Sequence, residues 1–115
     1  MRGVDLNWAG GEHTFALPIE MLRALQDKCD AGPAWVLGRL SSKQWHVDDV
    51  LAPIQYGLEG GGMEKADARK LVKKFVEDRP LTESVLTAMA ILTAALYGGE
   101  DDGQADEGER QPAAA

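Results

Sequence analysis

The chain has 115 residues, of which 44% are hydrophobic and 27% are charged. This length suits one compact domain and is too short for two full ones. The longest apolar stretch, residues 85–97, falls short of the roughly 20 residues that cross a bilayer. The opening residues lack the basic start and apolar run of a secretory signal, so we expect a cytoplasmic protein that spans no membrane.

The formal net charge is -7 and the pI is about 4.7. Binding to nucleic acid needs clustered Lys and Arg, so we expect no nucleic-acid partner. Residues 98–115 hold six acidic residues against Arg110 alone and no large apolar residue. They predict a disordered acidic tail after a single domain at residues 1–97. Solubility is the simplest role for this tail, and attraction of a basic partner is the alternative.

The first elements along the chain are two short alternating segments, in which Val4, Leu6 and Trp8 precede a Gly10-Gly11 turn and Phe15 and Leu17 follow it. This pattern predicts a β-hairpin, because glycine supplies the backbone angles of a tight turn. A two-stranded hairpin is only marginally stable by itself. Its apolar face should therefore pack on the helices that follow.

Apolar residues then recur at helical spacing in several segments. These predict helices at residues 18–30, 45–58, 64–77 and 81–97, and a short helix after Gly32 and Pro33 in which Trp35, Val36, Leu37 and Leu40 are apolar. In the first of them Met21, Leu22, Leu25 and Cys29 form the inward stripe, and Cys29, the single cysteine, cannot form an intramolecular disulfide. The predicted fold is mainly α (α+β): an N-terminal hairpin packed on a compact bundle of four to five helices.

The helix at residues 45–58 has one apolar face, made of Val47, Val50, Leu51, Ile54 and Leu58. Asp48 and Asp49 occupy its first turn, where carboxylates accept free backbone N–H groups. Pro53 lies inside the helix, so we expect a kink or a local break there. The run Gly60-Gly61-Gly62 should end the helix.

The last helix has the widest apolar surface, with Leu86 and Ile91 beside its main stripe, and we expect it to be central to the core. Trp35 and Trp45 flank a loop; we interpret both as core residues, with anchors for protein contacts as the alternative. The lysines of residues 64–77 predict a solvated basic side, which could alternatively meet an acidic partner or the chain's own tail.

No reactive constellation is apparent. His13 and His46 have no metal-ligand spacing around them, and Asp48 and Asp49 point in different directions as neighbours on a helix. The glycine run is not followed by the Lys-Ser or Lys-Thr pair of a phosphate-binding loop. We therefore predict no catalytic residue, no metal site and no cofactor, and hence a protein that is not an enzyme.

Three segments resemble the gene transfer agent tail protein family, which is counted among the phage tail assembly chaperones. They are residues 17–29, residues 45–62 (WHVDDVLAPIQYGLEGGG) and residues 79–98 (RPLTESVLTAMAILTAALYG). The resemblance covers roughly residues 3–98 and departs from the family pattern at His46 and Pro53. The positions that match the family motifs are Trp45, Asp49, Val50, Gly57, Leu58, Gly60, Gly61, Gly62, Pro80 and Leu81, all structural in character.

The resemblance implies a tail assembly chaperone of a gene transfer agent, prophage or long-tailed phage. Such a protein would bind the tape measure protein, keep it soluble and help the tail tube protein to polymerise around it. Self-association is compatible with this role, and the resemblance assigns no partner-binding residues. The alternative is a structural tail component, such as a terminator or adaptor, that stays in the particle.

Overall fold

The computed structural model describes residues 3–98. A hairpin of β1 (Val4–Trp8) and β2 (Gly11–Phe15) is followed by five α-helices, α1 to α5. This confirms the predicted mainly α fold with an N-terminal hairpin. The predicted disordered tail, residues 98–115, lies outside the described residues apart from Gly98. The helices are α1 (Ile19–Cys29), α2 (Pro33–Ser41), α3 (Val47–Gly60), α4 (Lys65–Val72) and α5 (Val85–Tyr97).

The two strands pair antiparallel, with Val4 opposite Phe15 and Trp8 opposite Gly11. Gly11 has a φ of 111°, which a residue with a side chain rarely adopts. Trp8 and Phe15 are buried on the same face of the hairpin, with ring centroids 5.8 Å apart in an edge-to-face arrangement. The hairpin therefore has one apolar face, which packs against the helices as the alternation predicts.

Helix α3 lies at the centre of the molecule, since it packs against α1, α2, α4, α5 and β2. Val50, Ile54 and Leu58 are fully buried along it. The prediction that the last helix is central to the core was only partly right: α5 buries Ile91 and Leu92, but Leu86 is 76% exposed. An apolar composition does not by itself show how many sides of a helix have packing partners.

Two further burial predictions were wrong. Trp35 is 69% exposed, because the neighbouring Val36 occupies the inward position of α2 and the next side chain points about 100° away around the helix. Val47 is 54% exposed because it is the first residue of α3, outside the core. Trp45 is half-buried and packs against the core, whereas Cys29 is buried as expected.

We predicted a kink or a local break at Pro53, and the structure shows no break in α3. The helix continues from Val47 to Gly60 with Pro53 inside it and buried. The missing N–H removes a hydrogen bond to Asp49. Because the surrounding turns pack against the core on several sides, tertiary packing maintains the helix despite that loss.

The predicted helix at residues 64–77 is helical, but only its first part is an α-helix. A wider π-helical turn, Lys73–Glu77, continues α4, and the N–H of Asp78 donates to the carbonyl of Lys73 at 3.0 Å. The last predicted helix begins with a 3₁₀ turn, Leu81–Ser84, before α5. Within residues 3–98, each helix is too short or too polar to cross a membrane.

Candidate functional site

Most residues of the family motifs lie on α3 or at its C-terminal end. Val50 and Leu58 are buried along the helix, and Gly57 is buried where α3 meets the hairpin. The carbonyl of Gly57 accepts the N–H of Ala16 at 3.0 Å. A Cβ added at Gly57 would lie 3.1 Å from both Phe15 and Ile91. This position therefore joins the hairpin, α3 and α5.

Gly60 and Gly61 allow the backbone that leaves the hairpin to approach the end of α3. A Cβ at Gly60 would overlap the carbonyl oxygen of Ala16, and a Cβ at Gly61 would overlap that of Thr14. Gly62, next in the run, has a φ of 112°, which a residue with a side chain rarely adopts. The glycine run thus ends α3 as predicted. Its lack of side chains also lets the hairpin backbone pack closely against the end of α3.

The remaining motif residues lie at helix starts. Trp45 is half-buried just before α3, and Asp49 lies in its first turn. Pro80 is exposed, and its carbonyl accepts the N–H of Glu83 at 3.1 Å as the 3₁₀ turn begins. Leu81 is partly buried against the core. Most motif residues therefore shape the fold and offer little surface to a partner.

A buried ion pair joins α2 to α3. The Asp49 carboxylate is fully buried, and Arg39 donates to both of its oxygens, from Nε at 2.9 Å and from Nη2 at 2.7 Å. Asp49 also accepts the backbone N–H of His46 at 2.8 Å, which caps α3 as expected of a first-turn carboxylate. The hydrogen bond to Asp49 raises the pKa of Arg39. The two hydrogen bonds fix Arg39 and Asp49 relative to each other.

Sequence reasoning found Asp49 but missed Arg39. The available signal was that Arg39 is the single charged residue in α2. An isolated charge on an otherwise uncharged helix needs a partner when it lies near the core. The pairing itself depends on how α2 crosses α3, which residue spacing does not reveal.

Cys29 lies beside this ion pair. Its carbonyl accepts Arg39 Nη2 at 3.3 Å, and its Sγ donates to the carbonyl of Asp48 at 3.4 Å. Burial, reinforced by the negative charge of Asp49, raises the pKa of Cys29 to about 12. The thiol is therefore neutral at physiological pH and unsuited to act as a nucleophile.

A groove runs between α3 and α4, and we call it the α3–α4 groove. Its apolar part is formed by Leu51, Ala52 and Tyr56, and charged side chains of both signs surround them. Burial raises the pKa of the Tyr56 hydroxyl, with a further contribution from Glu59. The charged residues at the groove are Lys28, Asp48, Lys65, Arg69 and Glu77.

The outer side of α4 and its π turn is basic, as predicted. Lys65, Arg69, Lys70 and Lys74 are exposed there. Lys73 also lies on this side, and its hydrogen bond to Asp78 at 3.0 Å raises its pKa. Both partners of that pair are largely exposed, so the interaction adds little stability.

The histidines do not form a metal site. His13 accepts a hydrogen bond from Trp8 Nε1 at 2.9 Å through Nδ1, and His46 precedes α3. Across residues 3–98, no three His, Cys, Asp or Glu side chains are grouped closely enough to hold a metal ion.

Comparison with known proteins identifies a family. The family model described as "Phage tail tube protein, GTA-gp10" matches residues 3–98, which include the hairpin and all five α-helices. No curated protein and no solved structure matches the chain. The match covers the region in which the sequence motifs were recognised. The chain therefore belongs to this gene transfer agent and phage tail protein family.

Proposed function

We propose that this protein is a non-enzymatic tail assembly chaperone that binds the tape measure protein and assists polymerisation of the tail tube. It would act in the cytoplasm of the bacterial cell that produces the particles. Family membership gives a tail-related role and supports partners among the tail proteins. Chaperone activity goes beyond what family membership gives, and it is the part that we propose.

The observation that carries the proposal is the α3–α4 groove. Leu51 and Tyr56 are only half-buried in it, and charges of both signs flank them. An amphipathic helix places apolar residues on one side and charged residues at the borders of that side. Such a helix would bury its apolar side chains on Leu51 and Tyr56 and pair its flanking charges with the groove. A long helical tape measure protein would offer segments of this kind.

The test is co-expression of the full chain with the tape measure protein of its own gene cluster, followed by affinity capture. The double variant Lys65→Glu/Arg69→Glu reverses two exposed charges at the groove. We expect it to reduce the captured tape measure protein at least about tenfold, since like charges then face each other. The matched control, Arg23→Glu/Lys43→Glu, changes the net charge equally at exposed positions away from the groove.

Equal capture by the variant and the control would contradict the assignment to the groove. Absence of capture by the unmodified chain would contradict the chaperone proposal itself. Circular dichroism of the double variant and the control checks that both remain folded, which their exposed positions favour.

A second candidate is a structural tail component retained in the particle. The description of the matched family, which names a tail tube protein, favours it. The two candidates differ in the finished particle, because a chaperone is released during assembly and a structural component stays. Mass spectrometry of purified particles distinguishes them.

A further inference from the structure

Positive charge in the described region is concentrated on α4 and the π turn that continues it. Residues 65–74 hold five of the ten Lys and Arg residues within residues 3–98, against one acidic residue, Asp67. The rest of residues 3–98 holds five basic and twelve acidic residues. We call the five exposed cations the basic side: Lys65, Arg69, Lys70, Lys73 and Lys74.

Two neighbouring hollows place these side chains on one surface. Lys65 and Arg69 lie together at the α3–α4 groove. Arg69 also borders an open hollow on the outer side of α4, together with Ala66, Lys70 and Lys73. Lys74 follows Lys70 by four residues, so it extends the same side of the helix by one turn. The basic side is therefore continuous with the groove through Arg69.

Little in residues 3–98 neutralises this charge. Lys73 bonds to Asp78 at 3.0 Å, and the other ion pairs of that region are those of Arg39 and Arg79. Lys65, Arg69 and Lys73 follow each other at intervals of four residues, a spacing at which like charges on a helix repel each other. An acidic occupant would remove that repulsion, so the basic side is suited to one.

The chain carries an acidic segment of its own in residues 100–109, which lie outside the described residues. This segment contains six acidic residues, no basic residue and no apolar residue larger than alanine. Because it has no large apolar side chain to bury, it can be attracted to a protein surface mainly by charge. Within residues 3–98 the basic side is where the charge needed for this attraction is concentrated.

The acidic segment is long enough to reach the basic side. Glu109 follows Gly98 by eleven residues, and a chain spans at most about 3.3–3.6 Å per residue, so Glu109 can lie up to about 36–40 Å from Gly98. The longest dimension of the molecule is 41 Å. A tethered segment also has an effective concentration of about a millimolar, which favours it over a free acidic partner of similar charge.

We propose that the acidic segment binds the basic side of its own chain. Arg69, Lys70 and Lys73 are the cations around the outer hollow, and they pair with the carboxylates of the segment. Salt weakens this attraction, because the cations are exposed. Since Arg69 also borders the α3–α4 groove, the bound segment competes with a partner helix there. The competition rests on the proposed function, whereas the binding of the segment does not.

The test uses nuclear magnetic resonance of the full chain with a nitroxide spin label on Gln104→Cys, in a Cys29→Ala background. Gln104 lies between the two groups of acidic residues in the segment. We expect the label to weaken the amide signals of residues 65–74 more than those around Arg23 and Lys43, two exposed basic residues elsewhere. In the triple variant Asp106→Asn/Glu107→Gln/Glu109→Gln this preference should disappear, although label and chain length are unchanged.

The matched control is Glu12→Gln/Glu20→Gln/Asp27→Asn, which removes three exposed acidic residues away from α4 and should keep the preference. The same preference in the triple variant overturns the proposal, as does signal loss centred on another surface. The spin-labelled chain is also mixed with an isotope-enriched chain that carries no label. Signal loss of equal size in residues 65–74 of that second chain would show binding between copies and overturn binding within one chain.

The competition is tested by capture of the tape measure protein. The triple variant should capture at least about threefold more than the Glu12→Gln/Glu20→Gln/Asp27→Asn control, because its groove is no longer partly covered. Equal capture by the two overturns the competition. Absence of capture by every chain overturns the proposed function instead. The resonance experiment involves no tail protein, so the failure of either proposal is recognised separately.

Discussion

Arg39 on α2 and Asp49 on α3 form a bidentate ion pair, in which the Asp49 side chain is fully buried and the Arg39 side chain is 17% exposed. Asp49 also caps its own helix through the His46 N–H. One carboxylate therefore fixes both the start of α3 and the position of α2 beside it. Removing Arg39 should therefore cost more stability than removing Asp49, because the carboxylate left behind is fully buried.

Replacing Arg39 by methionine should strongly destabilise the fold, because it leaves the Asp49 carboxylate buried without its cation. We expect the unfolding midpoint to fall by on the order of 10–20 °C. Thermal unfolding followed by circular dichroism measures the change.

The double variant Arg39→Met/Asp49→Leu should recover much of that loss, since no buried charge is left unpaired. Recovery should stay incomplete by about 1 kcal/mol, because the cap on the His46 N–H is also lost. A double variant less stable than Arg39→Met alone would show that the pair does not act through a buried charge.

Alanine at Gly60 should destabilise the protein, because its Cβ would overlap the carbonyl of Ala16 and push the hairpin away from α3. Overpacking of this kind costs about 1–3 kcal/mol. Alanine at Gly38 is the matched control: its Cβ meets open space inside a helix, so it should stabilise by about 0.5–1 kcal/mol. Chemical denaturation at low protein concentration compares the two; equal effects would contradict a close approach at Gly60.

The Cys29 thiol should be almost unreactive in the folded protein. It is buried, with a pKa of about 12, so very little thiolate forms at neutral pH. A thiol reagent should modify it only after denaturant is added. An exposed thiol introduced by Ser42→Cys in a Cys29→Ala background provides the positive control, and equally fast labelling of both native proteins would contradict the burial of Cys29.

The raised pKa of Cys29 also gives a pH dependence with a definite sign. The unfolded thiol ionises near pH 9.0, whereas the folded one stays neutral up to about pH 12. The unfolded state therefore loses its proton first, and stability is lost as the pH rises from 9 towards 12. In Cys29→Ala the decline over this range should be shallower, as measured by denaturant unfolding at a series of pH values; an identical decline would contradict the shift.

Much of the fold could be predicted because the turn residues and the apolar spacing in the sequence indicate the same local structures that the protein adopts. The alternation around Gly10-Gly11 and the glycine run after Leu58 each specify a local backbone geometry. Helical spacing correctly predicted the buried residues on those sides of a helix that pack against other elements, such as Val50, Ile54 and Leu58 on α3. At Pro53 tertiary packing outweighed the local preference.

Features that depend on how helices cross could not be predicted. Trp35 and Leu86 have the size and polarity of core residues, and only the arrangement of the neighbouring helices leaves them exposed. The Arg39–Asp49 pair and the α3–α4 groove likewise arise between elements that are separate in sequence. The glycine run was predicted to end α3, but the contact of Gly60 and Gly61 with the hairpin could be seen only in the three-dimensional structure.

The most direct test of the central claim compares the cell with the finished particle. The unmodified chain is captured from producing cells and probed for the tape measure protein, while purified particles are analysed by quantitative mass spectrometry. If the protein is a tail assembly chaperone, we expect it to capture the tape measure protein and to be absent from the purified particles. Presence of the chain in particles at a fixed ratio to the tail tube, without capture of the tape measure protein, would contradict the chaperone role and establish a structural one.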